Sequence, residues 1–497
     1  MSTSLNAARR SRELAALAAG EVVDLLVVGL GVTGAGTALD GAARGLRVAA
    51  IDAHDLGFGT SRWSSKLVHG GLRYLAHGEV GVAYESARER HVLMTRTAPH
   101  LVRALPIVLP RTGGAAAAFA VAAGTVGELL RATAGTPYGV LPRSRRLSAV
   151  ETRALVPAVR AARGGLLMWE GQLCDDVRLV VGLARAAAGR GARVLTRCRA
   201  VVLAGDGAEG RDERTGTTFA VKARAVVNAT GVWAGTLAPK VRLRPSRGTH
   251  LVLGEAAFGG LCAGLMVPVP GELNRYVFAL PQGDGRVYAG LTDEPVDGPI
   301  PDVPTVPEAD IDFLLDVLGG ALERPLRRAD VLGAFAGLRP LLDNGNRRTA
   351  DLSRRHAVLA GPDGLVTVVG GKLTTYRRMA AEAVDAAVRL RGLPARPSGT
   401  GRLPLPGAAP PVRLASVPAP RRLVARYGTE APLVSALGTD RVPGSPVTVG
   451  ELVWAVRHEG ALDVDDLLDR RTRIGLVPAD RAAALPAARS VLTDRSG

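Results

Sequence analysis

Leu25-Leu26-Val27-Val28 is an unbroken apolar run, which predicts a short strand buried on both faces. It leads into Gly29-Leu30-Gly31-Val32-Thr33-Gly34 and a small-residue helix through Ala43. Gly45 ends that helix, Arg47–Ile51 is a second apolar strand, and Asp52 closes it. Further on, the pattern predicts helices over Glu85–Arg96 and Asp176–Gly189, and strands over Arg193–Leu195 and Ala223–Val227. From Pro245 to Gly290, apolar runs alternate with Gly and Pro, as in antiparallel sheet. Leu365–Gly371 reads as a strand and Leu373–Leu390 as a helix. Gly399–Pro420, rich in Pro and Gly, reads as a linker, and 421–497 as several helices.

The first unit is a βαβ of about 30 residues with Gly-x-Gly-x-x-Gly between strand and helix and an acid after the second strand. Gly29 permits the tight turn, Gly31 lets backbone approach a pyrophosphate, and Gly34 allows close helix–strand packing. The helix N-terminus, with Val32 and Thr33, offers free N–H groups to phosphates, and Asp52 suits a ribose hydroxyl. A dinucleotide is the expected ligand.

Several strings together resemble the FAD-dependent glycerol-3-phosphate dehydrogenases. They are the glycine motif, Thr60-Ser61, Ser64-Ser65-Lys66-Leu67, His69-Gly70-Gly71-Leu72-Arg73-Tyr74, Asn228-Ala229-Thr230-Gly231, Gly337-Leu338-Arg339-Pro340 and Gly370-Gly371-Lys372-Leu373-Thr374-Thr375-Tyr376. The likeness is clear over about 23–380. It extends into the tail through Ala425-Arg426-Tyr427-Gly428 and Arg470-Arg471-Thr472-Arg473. Leu30 and Asp52 stand where many members have Gly and Glu, changes that still suit the turn and the ribose bond.

The resemblance implies an α/β chain: a Rossmann-like FAD-binding domain, an antiparallel substrate sheet in an amino-acid-oxidase-like arrangement, and a helical C-terminal domain. The expected boundaries are an extension over 1–22, flavin parts over about 23–100, 165–240 and 335–390, the substrate sheet over about 245–335, a linker over 399–420 and the tail over 421–497. FAD is the implied cofactor, on Gly29, Gly31, Val32, Thr33, Gly34, Asp52, Thr60, Ser61, Ser64, Ser65, Leu67, His69, Gly70, Gly71, Ala200, Val201, Ala229, Gly231, Trp233, Lys372, Leu373 and Thr374. No metal is expected.

The implied substrate is glycerol 3-phosphate, oxidised to dihydroxyacetone phosphate, with electrons passing to a membrane quinone. Arg73, Arg339, Arg354 and Lys372 are the cations the family's motifs mark for it, with Arg355 standing beside Arg354 as a rival, and Tyr74 as a phosphate partner. Loss of the hydroxyl proton needs a base or polarising cation. By residue type His69 is the first candidate, His250 the second, and Arg339 suits the alkoxide. Rival activities are a glycerol-3-phosphate oxidase that uses oxygen and an amine or amino-acid oxidase of the same fold. A homodimer is one assembly open to such a chain.

Composition changes this picture in three places. With 63 Lys plus Arg against 46 Asp plus Glu, the chain of 497 residues carries +17. That charge suits nucleic acid, an anionic membrane surface or an anionic substrate. The chain lacks a helix-turn-helix, an RNA-binding aromatic string and a basic tail, so nucleic acid is excluded. Only four lysines occur (Lys66, Lys222, Lys240 and Lys372), and two fall inside the recognised motifs, where guanidinium would not serve.

Seven arginines between Arg131 and Arg163 face only Glu151, behind the apolar Ala115–Leu130 segment. That combination predicts contact with an anionic leaflet. No uncharged run reaches the roughly 18 residues of a spanning helix. The three separated cysteines, Cys174, Cys198 and Cys262, suit a reduced chain. Residues 1–20 read as a short helix, not a signal peptide. The expected location is cytoplasmic, peripheral to the inner face of the plasma membrane.

Overall fold

The computed structural model describes residues 2–71, 79–111, 125–160, 163–272, 275–343 and 355–493. Val22–Val28 is buried from Val23 onward because it lies in the middle of a sheet covered on both sides. It pairs in parallel with Val48–Ile51 on one side and Thr218–Asn228 on the other. Arg193–Leu195 and Val366–Gly370 extend the parallel set, and His356–Ala360 closes one edge antiparallel. Cys198–Ala204 and Gly207–Asp212 fold against Thr218–Asn228 to complete eight strands.

Glycine sets the spacing of the layer beneath this sheet. A Cβ at Gly34 would stand 1.8 Å from the Gly29 carbonyl oxygen. Gly29 itself adopts φ +99°, which side chains disfavour. The helix Val32–Ala43 therefore lies close under the strand, with Tyr376 of the helix Tyr376–Arg391 against Gly36. Leu39, Val177, Val180, Leu183 and Val384 fill the core around it.

The second sheet has ten strands and draws on more of the chain than 245–335. Ser246–Gly254 pairs antiparallel with Arg286–Gly290 and Val331–Arg339. Val102–Pro110 and Gly165–Leu173 pair with each other and join through Gly264–Pro268. The early strands are there because both are apolar on the face that covers Leu251, Leu265 and Leu314.

The C-terminal helices Arg421–Tyr427, Ala431–Ala436, Val449–His458 and Pro478–Thr493 enclose their own core of Leu452, Leu467, Leu468 and Ala484. The Pro- and Gly-rich linker before them is anchored to the body of the protein. Leu405 is 3% exposed and its N–H donates to Thr97 O, while Thr400 Oγ1 donates to Asp40. The N-terminal helix Ala7–Ala18 is fixed too, through Arg10 to Asp212 at 2.6 Å. No described helix is long and apolar enough to cross a membrane.

Candidate active site

A cavity of about 930 Å³ opens between the two sheets, where the C-terminal ends of Val22–Val28 and Thr218–Asn228 meet it. Ligands of open parallel sheets bind at this edge. One part of its wall is the glycine turn: Gly29, Gly31, Val32 and Thr33, with Asp52, Ser61, Ala200, Ala229, Gly231 and Trp233. A Cβ at Gly31 would meet only Ser61 Oγ, at 3.1 Å, so bare backbone faces the cavity there. Ser61 Oγ accepts the Val32 N–H.

Asp52 accepts from Leu30 N at 2.6 Å and His54 N at 2.8 Å, one bond to each oxygen, which leaves lone pairs for a ribose hydroxyl. Burial, the dominant cause, raises its pKa to about 6.

The rest of the wall carries the chemistry. Thr60, Ser64, Ser65, Leu67, His69, His250, Arg339, Lys372, Leu373 and Thr374 all line it. His250 and Phe335 face each other across paired strands and stack at 4.8 Å. His250 Nε2 lies 2.8 Å from Ser65 Oγ. Burial, then Lys66 and Arg339, press its pKa down to about 3, so the ring is neutral at working pH. His250 Nδ1 and Trp63 Nε1 are shut away from the cavity, buried and without a hydrogen-bond partner in the protein.

Arg339 donates to Ser246 Oγ at 3.0 Å, Asp293 Oδ1 at 3.1 Å and Thr292 O at 3.0 Å. Lys372 follows Gly370 and Gly371, both at positive φ, and its Nζ donates to Ser86 Oγ at 2.8 Å. Lys66 does not reach the cavity surface. It is fully buried, with Nζ donating to Asp176 Oδ2 and Arg62 O, both at 2.7 Å.

Some expected residues stand elsewhere. Gly34 packs the helix against the strand and does not touch the cavity. Gly70 and Gly71 also lie off its wall; Gly70 N donates to Glu170, with the Arg90 guanidinium pressed against it. Val201, expected at the cofactor, is 61% exposed, because a bulge between Ala200 and Val202 turns two successive side chains outward. Arg73, Tyr74 and Arg354 lie outside the described residues. Sequence reasoning passed over Trp63, Glu170, Arg275, Thr292 and Asp293, which also line the cavity. Only Thr292-Asp293, two polar residues ending an apolar strand, left a trace in the pattern. No described group of His, Cys, Asp and Glu could hold a metal ion.

The glycine cradle and the Asp52 carboxylate on the same wall fit a flavin dinucleotide. Fold and site define an FAD-dependent oxidoreductase, and the family model of that description matches residues 24–377. A second model, the C-terminal domain of alpha-glycerophosphate oxidase, matches 398–497. Glycerol-3-phosphate dehydrogenase 1 of Mycobacterium tuberculosis is 53% identical over 510 aligned residues, covering 99% of both chains. The mitochondrial glycerol-3-phosphate dehydrogenase of Arabidopsis thaliana is 35% identical, over 95% of this chain and 82% of its own. The crystal structure of the Bacillus halodurans glycerol-3-phosphate dehydrogenase complexed with FAD superposes with a TM-score of 0.76 at 27% identity, covering 100% of this chain and 95% of that one. The chain belongs to the family of FAD-dependent glycerol-3-phosphate dehydrogenases.

Proposed function

We propose that this chain oxidises sn-glycerol 3-phosphate to dihydroxyacetone phosphate and delivers the electrons to a membrane quinone. The observation that carries the reading is the wall shared by His69, Arg339 and Lys372 beside a flavin cradle. Arg339 and Lys372 supply positive charge for a phosphate or a developing alkoxide. Guanidinium gives a fixed fork and ammonium a mobile point charge, so the two divide orientation from charge.

His69 takes the proton of the C2 hydroxyl. His250, held neutral, fixes the Ser65 hydroxyl of the same wall and leaves the base role to His69. Apolar Leu67, Met266 and Phe278 on the same wall keep water from the reacting carbon. FAD, when bound, supplies the two-electron acceptor for the hydride.

Purified holoenzyme mixed anaerobically with sn-glycerol 3-phosphate should lose its visible flavin band. A band that persists with this substrate but fades with an amino acid would sink the reading. Oxygen is the alternative acceptor, kept in view by the match of 398–497 to an oxidase domain. Hydrogen peroxide formed in step with turnover would favour it.

The acceptor reading places the chain on an anionic membrane surface at the cytoplasmic face. Leu129, Tyr138 and Val150 are 62%, 43% and 79% exposed, in the same stretch as the exposed Arg143, Arg145, Arg146 and Arg153. Arg131, counted with them from sequence, is buried instead, stacked on Tyr138 and donating to Thr136 O. Flotation with anionic but not neutral vesicles, abolished by salt, is the expected result.

A further inference from the structure

Among the described residues, three non-glycine positions have positive φ: Lys66 at 60°, Arg197 at 58° and Arg473 at 64°. Each is a cation bound to a buried carboxylate. Lys66 holds Asp176 at 2.7 Å, Arg197 holds Asp466 at 2.7 Å, and Arg473 Nε lies 3.1 Å from Asp175 Oδ2. Strained backbone persists only where its surroundings over-determine it. Two of these pairs, Arg197–Asp466 and Arg473–Asp175, tie the C-terminal domain to the body of the protein, and the third, Lys66–Asp176, lies beside the flavin cavity.

The contacts form a continuous chain. Arg473 and Arg426, both from the C-terminal domain, bind Asp175, the N-cap of the helix Asp176–Ala188. Its neighbour Asp176 accepts from Ser64 N, Ser64 Oγ and Lys66 Nζ. Between these two anchored residues stands Ser65, whose hydroxyl bonds His250. Arg473 also lies 5.5 Å over the Tyr288 ring, which packs edge-on against Phe335, the ring stacked on His250. Two routes thus lead from one tail arginine to the same histidine on the cavity wall.

We propose that Arg473 is a positioning residue of the flavin site, which through Asp175 and Asp176 sets the placement of Ser64, Ser65 and His250. Two adjacent buried carboxylates need compensating charge from both sides. Lys66 supplies it from the flavin loop and Arg473 from the tail. With either member of the Arg473–Asp175 pair neutralised, the charge balance around Asp176 changes, Lys66 shifts, and the serines it flanks move with it. The kinetic part rests on the oxidation proposed above; the spectral part needs only bound FAD.

The test compares Arg473→Gln, Arg473→Lys and the isosteric Asp175→Asn, each as FAD-loaded full-length protein. Arg473→Gln and Asp175→Asn should change the visible circular dichroism of the flavin and lower kcat at least tenfold, with KM altered less. Arg473→Lys should restore the spectrum and bring kcat to within threefold. A native flavin spectrum and kcat in either neutralised variant, even with a lowered Tm, would mean a purely structural role and overturn the proposal. A changed spectrum without turnover in the unmutated enzyme would instead count against the substrate assignment alone.

Discussion

Lys372 Nζ donates to Ser86 Oγ at 2.8 Å, tying the turn after Gly370 and Gly371 to the helix Val80–Val92. The ammonium stays on the cavity wall while this bond fixes its direction. Arginine would carry the charge on a longer planar fork and lose that single-point bond. Arg exchange at Lys372 should lower kcat/KM about tenfold or more, a loss of ~1.4 kcal/mol in transition-state binding. Steady-state kinetics with an artificial electron acceptor checks it, and near-native values would remove Lys372 from the site.

Asp52 gives a pH signature for cofactor binding. Its pKa is raised to about 6, and the ionised form is the better acceptor for ribose hydroxyls. Affinity of the apoprotein for FAD should therefore rise with pH through about 6 and level off above. Asp52→Asn keeps one acceptor oxygen but sets an amide N–H₂ against the Leu30 or His54 N–H. It should weaken FAD binding at least tenfold and flatten the pH dependence, both readable by flavin fluorescence titration.

Gly34→Ala tests the cradle itself. The added Cβ would lie 1.8 Å from the Gly29 carbonyl, with no flexible side chain to yield. Overpacking of this kind costs roughly 1–3 kcal/mol or more. The variant should show a clearly lowered Tm and come off purification depleted in flavin. By contrast, Gly81→Ala meets nothing within 4 Å and lies inside a helix, so it should be neutral or stabilising.

His100 is buried, and burial with Arg178 nearby presses its pKa down to about 3. An unfolded imidazole takes its proton near pH 6.5. Between those values the unfolded chain binds one more proton at this site, so its contribution to stability falls as pH falls. The slope reaches ~1.4 kcal/mol per pH unit. Denaturant unfolding of His100→Gln from pH 7 to pH 4 should lose one proton's worth of that slope.

The parts of this molecule readable from sequence are those whose causes are local. The glycine turn, the strand after it and the Gly370–Thr375 turn each hold their reason within a few residues. Glu170 gave no such sign, because it reaches the cavity only when Val102–Pro110 and Gly165–Leu173, far apart in sequence, pair up. Arg131 shows the opposite error. It sits in an arginine-rich run and reads as surface, yet Tyr138 and the Thr136 carbonyl take it inside. Charge alone does not say which cations have found a partner. Lys66 was singled out by the scarcity of lysine, but not its carboxylate, 110 positions away.

Asp55 accepts from both Arg470 and Arg471, and the latter stands 416 residues further along the chain. During synthesis at about 5–20 residues per second, that interval lasts roughly 20–80 seconds. For all that time the loop after the second strand carries a carboxylate without its counter-ions. The loop beside the cofactor's seat is thus made long before the arginines that hold it. The same carboxylate, once paired with both arginines, ties that early loop to the C-terminal helices.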